Sequence, residues 1–512
     1  MVTRGRGGAC IAGLALLIGG AVGTIDAAPV SAQETLRVGT WAMPGGRGNP
    51  FTARGTPSVF TWSPMFDKLT AISKEGDVVR EFAEGWENVN PTTWRFKIPA
   101  NVKFSNGEAL DAAAIKAVLE WLQTDAGKTT PVGQWIGELD KANVVDATTL
   151  DMVTKAPSPI WPKRLAVVML PAPKAWADMG PANFAAAPIG SGPYKLTRLA
   201  PESASFEANE TSWKKRANIS KLELIALSEA AARNQALLSG QIDIDTDVSA
   251  DNFATLRAQN FTVDSVSAVN THGITFIQNK EGSPWRDKRL RQAANYAIDK
   301  ESIIKNVYGG LGAPASQHAP PIAFGYNKDL KPYPFDQAQA RKLLAEAGFP
   351  NGVDLVIQGV QVGLTLSNMY QALAQQLTAV GIRTRVQIVP VTEFIQHFLS
   401  GQFPPDVQAF GSASDFAGHL DTGVGFSSFY SCAKRGPVYC EEAEMPLVKA
   451  AETEFDTAKR RKILSDLLAM NRDNASLIFV AEQTNNMAHA AKVKNFRNAA
   501  FILNHHEMRI ER

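Results

Sequence analysis

The sequence predicts an α/β fold, and two stretches carry that prediction. In residues 283–350 every local signal agrees. Asp287 is placed to cap a helix whose Leu290, Ala294, Ala297 and Ile298 fall on one face. Asp299 caps the next helix, and Gly309 and Gly310 stop it. After a Pro-rich run over 314–334, Asp336 with Gln339 three residues on reads as a helix start of the capping-box kind. Ala340, Leu343, Leu344 and Ala347 line one side of that helix, and Gly348 and Pro350 end it. The second stretch runs from a buried strand at 353–357 through a helix at 367–380 and Gly381 to an alternating strand. There Ile382, Thr384, Val386 and Ile388 oppose Arg383, Arg385 and Gln387, and strand–helix–glycine–strand is the pattern of a βαβ unit.

The remaining elements follow in order. Leu36 and Val38 alternate with polar neighbours, so 34–39 is a first strand, and 43–48 is a Gly- and Pro-rich loop. An amphipathic helix is expected over 59–69, including Met65 and Phe66. Trp86 introduces a strand pair in which Trp94, Phe96 and Ile98 alternate with Arg95 and Lys97; a strand continues at 102–104, and Asn106-Gly107 is a strong turn signal. Asp111 caps a helix with Ile115, Val118, Leu119 and Leu122 on one face. Two short strands fit 144–153, and loops with short helices fit the run to Pro188. The glycine turn at 189–194 opens a strand. Ser228 caps a helix ended by Gly240, and 242–244 is a strand with aspartates on its other face. Residues 263–269 and 273–278 read as two strands. Thr392 caps a helix ended by Gly401, and a last helix at 456–470 precedes an apolar strand at 477–480. No internal repeat or low-complexity linker interrupts the chain.

Composition excludes several classes. The chain has 512 residues, enough for about three domains. Its 45% hydrophobic and 20% charged content is that of a soluble globular protein. Net charge is +2 with Lys and Arg scattered, without the basic patch of a nucleic-acid binder, so no nucleic-acid partner is expected. After residue 25 no apolar run approaches the ~18 residues that span a bilayer. At the N-terminus, Arg4 and Arg6 precede an apolar run at 9–22 and small residues ending Val30-Ser31-Ala32. That is a secretory signal peptide over 1–32, cleaved near Ala32, and its short glycine-rich apolar run argues against the alternative of a membrane anchor. Cys10 lies inside that run and leaves with it. Cys432 and Cys440 remain, and in an oxidising compartment a disulfide is the first reading; a metal pair is the alternative, with no histidine beside them.

No G-x-S-x-G elbow, G-x-x-x-x-G-K-[ST] loop, H-E-x-x-H helix or complete G-x-G-x-x-G turn occurs. His505-His506-Glu507 is the most metal-like cluster, but adjacent strand residues point to opposite faces, and a solvated tail strand is expected instead. His318, in the Pro-rich run, and His419 read as structural. An exported α/β chain without a catalytic constellation reads as a binder, not an enzyme, and no cofactor is expected.

An ordered set of markers then resembles the family 5 solute-binding proteins of ABC importers, which include peptide, dipeptide and nickel binders. The markers are Trp94-Arg95-Phe96 through Asn106-Gly107, Ala109 to Lys116, Gly190-Ser191-Gly192-Pro193-Tyr194, the Trp213 region, Leu238-Ser239-Gly240-Gln241-Ile242-Asp243, Arg289 to Lys300, and Tyr333-Pro334-Phe335-Asp336 to Gly348-Phe349. The resemblance covers nearly all of the mature chain. It implies a two-lobed periplasmic binding protein fold, type II-like of cluster C, closing over one ligand. Lobe one would comprise 33–58, 188–272 and 485–512, an extra domain at 59–187 would be inserted in it, and lobe two would be 273–484. It also implies a periplasmic monomer that captures an oligopeptide or peptide-like solute and delivers it to a permease and ATPase complex in the inner membrane. The competing expectations are a metal or metal-chelate ligand on the same scaffold and an exported hydrolase.

Site residues come from the same resemblance. In peptide-binding relatives an aspartate after the strand near Phe410 holds the peptide's α-ammonium, and by position this is Asp415, preceded by Ser412, Ala413 and Ser414. A buried carboxylate can hold an ammonium by charge-assisted hydrogen bonds while the backbone before it pairs with an extended peptide. The alternative role of Asp415 is a loop cap. The family continues with an acidic–proline pair, where this chain has Phe416-Ala417-Gly418-His419. Dipeptide binders carry an arginine for the ligand carboxylate where Val362 stands, which argues against a dipeptide and leaves a longer peptide, a cation or a less charged solute. Trp41 and Met43 are expected either to wall the cleft or to enter the core. Cys432–Cys440 resembles a short disulfide of some relatives.

Overall fold

The computed structural model describes residues 34–511 except 53–57, 74, 215–216, 279, 362, 416–419, 433–438 and 499–502. The signal peptide with Cys10, together with Val362 and His419, therefore lies outside the described residues.

The fold is organised by one long strand, Thr262–Phe276. The two strands expected at 263–269 and 273–278 are one: Asn270 is a turn-forming residue, but Asn270-Thr271-His272 stays extended because it pairs with 413–415 on one side and Thr271 and His272 pair with Glu482 and Ala481 on the other. Its main partner is Leu477–His489, also far longer than the expected four residues. The two pair antiparallel in two blocks. Thr262 to Ser267 faces His489 to Thr484, and Thr271 to Thr275 faces Glu482 to Leu477. Register slips between Ser267 and Thr271 and again between His272 and Gly273.

On one side of that break the sheet continues through Ile244–Asp245, Thr35–Thr40, Lys221–Ala226, Ser203–Ala208 and Tyr194–Ala200. On the other it continues through Ala409–Asp415, Val353–Val360 and Ile382–Val389. The result is an 11-stranded mixed sheet whose two halves, among the described residues, share only the pair of long strands. Each half forms a lobe. The second packs Leu290, Ala294, Leu344, Leu355 and Leu373 into its own core, and its parallel pair 353–360 and 382–389 is the βαβ unit read from the sequence.

Helix starts follow their caps. The side chains of Asp111, Asp287, Asp299, Asp336 and Asp456 each accept a backbone N–H from the first turn of the next helix. At Asp336 the return bond of a capping box is replaced by Asp336 N donating to the Tyr296 carbonyl at 2.9 Å. Several expectations are corrected. The helix expected at 59–69 is only Ser58–Trp62, since Pro64 ends it. Residues 102–104 form a single bridge, Lys103 to Ala109, and no strand. Ser228 is not a cap: the helix is Ala230–Leu238, with Glu229 at its N-cap and no side-chain bond there. Pro390, not Thr392, precedes the helix Val391–Ser400.

Between Thr35–Thr40 and Tyr194–Ala200 the chain builds the inserted domain. Its four-stranded sheet runs Gly85–Asn90, Thr93–Lys97, Thr149–Thr154, Leu139–Asp146, with the helix Ala112–Leu122 beside it. One buried carboxylate ties this domain to the first lobe. Asp67 accepts from Ser191 Oγ at 2.7 Å and from Trp213 Nε1 at 2.8 Å, and pairs with Lys214 Nζ at 2.6 Å. Beside it Gly190 and Gly192 allow the strand entry to touch residues 64–65; a Cβ on Gly190 would lie 2.1 Å from the Met65 carbonyl. Breaking a buried charged network strands its partners, so Asp67→Ala should lower unfolding stability by about 3–5 kcal/mol in urea titrations, while an exposed substitution such as Asp140→Ala leaves it unchanged within about 0.5 kcal/mol.

Candidate functional site

The two lobes meet where the register breaks, and the candidate site is built around that crossing. Ala409–Asp415 lies antiparallel to the crossing strand, with Asn270 opposite Asp415, Thr271 opposite Ser414, His272 opposite Ala413 and Gly273 opposite Ser412. Thr271 also pairs with Glu482 on its other side, and Glu482 pairs with Ala313. The backbone of residues 412–415 is thus carried to the junction of the lobes. The side chains of Ser412, Ala413, Ser414 and Asp415 lie outside the described residues.

From the first lobe, Thr35–Thr40 delivers Trp41 to the end of its strand, where the indole is 45% exposed. Met43 is half-buried and packs against the large core that runs through that lobe and the inserted domain. The backbone beneath Trp41 is held firmly. Leu227 N donates to the Thr40 carbonyl at 2.8 Å, and Thr246 Oγ1 to the Gly39 carbonyl at 2.9 Å. Arg233, fully buried, donates to the carbonyls of Leu227 and Ser228 at 2.7 and 2.9 Å and to Asp245 Oδ1 at 3.2 Å.

The acidic run 243–247 is part of this support. Sequence alternation placed the aspartates on the face opposite the apolar residues, but a central strand next to a parallel partner is covered on both faces. Asp243 is buried, accepting from Arg37 N at 2.8 Å and pairing with Lys492 at 2.6 Å. Burial pushes Asp245 up to about 6 despite Arg233 beside it.

Two titratable groups near the crossing carry no sequence motif. Glu482 is the last second-lobe residue before the slip; it is buried and accepts from Tyr326 Oη at 2.9 Å, and burial pushes its carboxyl up to about 7. His272 is buried with Nδ1 2.7 Å from Tyr308 Oη, and burial lowers it to about 4, so it is neutral at pH 7. Their only sequence signal is a polar residue inside an apolar strand.

Candidate metal ligands do not converge among the described residues. His318 is buried edge-on to the rings of Tyr430 and Phe426, centroids 4.4 and 5.9 Å away, and burial lowers it to about 3. Cys432, Cys440 and Glu442 form the one group of three possible ligand side chains, but the two sulfurs are joined as a disulfide, so no thiolate remains for a metal. The expected solvated tail strand at 505–507 is instead a turn. His505 is buried in it because the short C-terminal hairpin Val493–Lys494 with Arg509–Ile510 folds that turn back against the domain.

Three comparisons bear on this architecture. The family model for bacterial extracellular solute-binding proteins, family 5 Middle, matches residues 77–434. A glutathione-binding protein, GsiB, of Salmonella paratyphi A is 25% identical over 435 residues, covering 83% of this chain and 81% of that protein. Di/tripeptide-binding protein 3 of Pseudomonas aeruginosa is 28% identical over 330 residues, 61% of each chain. Among solved structures, HbpA2 of Haemophilus parasuis superposes with a TM-score of 0.81 at 21% identity, covering 93% of this chain and 100% of that one. The Bacillus subtilis oligopeptide-binding protein AppA, solved with a nonapeptide, superposes with a TM-score of 0.76 at 19% identity, covering 94% and 100%. The architecture is that of two-lobed periplasmic binding proteins.

The raised carboxyl of Glu482 has a measurable consequence. Its folded pKa of about 7 lies above the ordinary 4.5, so the fold favours the protonated form. The resulting stabilisation is complete below about pH 4.5 and lost as pH rises through about 7. Glu482→Gln should therefore lose less stability between those limits than the parent protein, by about 1–3 kcal/mol, in denaturant titrations across that range.

Proposed function

The chain belongs to the bacterial extracellular solute-binding proteins of family 5, and from that premise we propose that it captures an oligopeptide or peptide-like solute between its two lobes. It is a solute-binding component of an ABC importer. The proposed course is export by the signal peptide at 1–32, capture in the periplasm as a monomer, and delivery of the closed form to the permease and ATPase. The proposed lobe boundaries are 33–58, 188–272 and 485–512 for lobe one, 59–187 for the inserted domain and 273–484 for lobe two.

The observation that carries this reading is the strand Ala409–Asp415, whose backbone flanks the crossing strand just where the lobes meet. An extended ligand lying there can exchange main-chain hydrogen bonds with a strand end, while Asp415 offers a carboxylate to its ammonium. Exposed Trp41 approaches as an aromatic wall from the first lobe. The names of the matched relatives, glutathione-binding and di/tripeptide-binding, and the nonapeptide in a structural neighbour, support a peptide-like ligand. Val362, in place of an arginine, disfavours a bare dipeptide and favours a longer chain whose carboxylate stays in water.

Native mass spectrometry of the mature protein, purified from an exporting bacterium without refolding, tests the ligand class. A spread of bound masses that resolves into peptides on denaturation is expected; a single non-peptide mass or a metal overturns the peptide assignment. With a bound peptide identified in that way, Asp415→Ala should weaken its affinity by about 2–4 kcal/mol in calorimetry, and unchanged affinity removes Asp415 as the ammonium site.

A further inference from the structure

The inserted domain is fastened to lobe one through Asp67, yet it also reaches lobe two. The contact centres on Lys163, at the end of the short helix Trp161–Arg164. Its side chain is buried. The ammonium donates to the Gly76 carbonyl at 2.6 Å, within the inserted domain, and to the Leu420 carbonyl at 2.8 Å, in lobe two. It stands 3.7 Å from Asp421 Oδ2 and 5.2 Å from the Phe324 ring centroid. Asp421 is itself buried, accepts both terminal nitrogens of Arg460 at 2.7 and 2.8 Å, and caps the turn Thr422–Gly425.

The surroundings fit this socket closely. Gly76 has φ +79°, and a Cβ there would lie 2.1 Å from the Ile322 carbonyl. At the rim Arg461 pairs with Asp77 at 3.0 Å and lies 4.3 Å from the Phe324 ring, and Trp94 stacks on Phe455 with centroids 6.1 Å apart. The lobe-two side is rooted in that lobe: Arg291 of the helix Lys288–Tyr296 donates to the Asn474 carbonyl, at the end of the helix Thr457–Asp473, at 2.8 Å. Lys163 therefore joins two bodies whose sheet connection is a single pair of strands with a register break.

A buried ammonium is tolerated only while its hydrogen bonds are made. If the lobes part, Lys163 must leave the Leu420 carbonyl and Asp421 and return to water. We propose that Lys163 is a positioning residue for solute capture, docking into the Leu420–Asp421 socket of lobe two only when the lobes are shut. The inserted domain thereby helps to set the open–closed equilibrium. This rests on the solute-binding reading and goes beyond it, since it assigns the inserted domain a part in closure.

Electrostatics supply a second readout. Asp421 and Asp77 favour the charged form of Lys163, Arg460 and Arg461 oppose it, and burial dominates, lowering the ammonium to about 8. In the open form, in water, it returns toward the ordinary 10.5. Docking then releases a proton across that window, and closure should strengthen as pH rises from about 8 toward 10.5.

The test is spin-label distance measurement on the mature protein with V145C, on the exposed face of the inserted domain, and K342C, on the exposed face of a lobe-two helix. It is made with no addition and with a tryptic casein digest as probe. Lys163→Met should lower the ratio of short to long distances about fivefold, the effect of one hydrogen bond of about 1 kcal/mol. It should also abolish the rise of that ratio between about pH 8 and about pH 10. D77R should lower the ratio too, and D77R with R461D should restore it, a rescue that a purely local fold defect does not give. Identical distance distributions for parent and Lys163→Met in both conditions overturn the proposal. If the digest changes nothing while Lys163→Met still does, the docking stands and the peptide assignment fails.

Discussion

Everything in this molecule depends on two strands that belong to both lobes at once. Thr262–Phe276 and Leu477–His489 pair in two blocks with a slip between them, and among the described residues no other strand pairing of the main sheet joins the halves. A strand ladder resists shear along most of its length. A break of register leaves residues without opposite partners and raises local twist, so bending concentrates there. The result is two halves of one sheet joined through that strand pair, with a second contact where the inserted domain meets lobe two around Lys163. A ligand held between such lobes stabilises the closed arrangement by the contacts it makes only there.

That arrangement is the one its solute-binding family uses to hold a solute between lobes. The chemistry of the crossing is hydrogen bonding and charge placement in a partly dry site. Asp245, Glu482 and His272 are buried within the strands that form it or flank it, and Asp243 is buried just before the strand Ile244–Asp245. Asp243 and Asp245 have cationic partners, Lys492 and Arg233, which hold the strand ends rigid. Glu482 and His272 have neutral phenolic partners, Tyr326 and Tyr308, and burial moves both away from their charged forms. The crossing thus combines fixed charges that fasten the scaffold with groups that burial keeps near neutrality.

Much of the fold was legible because its cues are local. Asp111, Asp287, Asp299, Asp336 and Asp456 each start the helix their spacing announced, and the βαβ unit around Gly381 follows from periodicity alone. What failed depended on neighbours distant in sequence. Residues 270–272 hold one continuous strand only because Leu477–His489 and Ala409–Asp415 flank it. Asp243 and Asp245 are buried because helices and strands cover both faces of their sheet, which alternation cannot register. The missed helix end at Pro64 is different: the breaker was in plain view, and the apolar residues beyond it, Met65 and Phe66, pack into the core from a turn. For the candidate site, sequence resemblance pointed to 412–415 and Trp41, whereas Glu482 and Lys163 have no motif and emerge only from burial and partners.

The central claim is closure about the two-strand crossing over a captured solute. Small-angle X-ray scattering of the mature protein, stripped of ligand and then saturated with a tryptic casein digest, measures it directly. A smaller radius of gyration and a shorter maximum dimension on saturation, reversed on stripping, are the result this account predicts. Binding, shown by co-elution of peptides, with an unchanged scattering profile would contradict it.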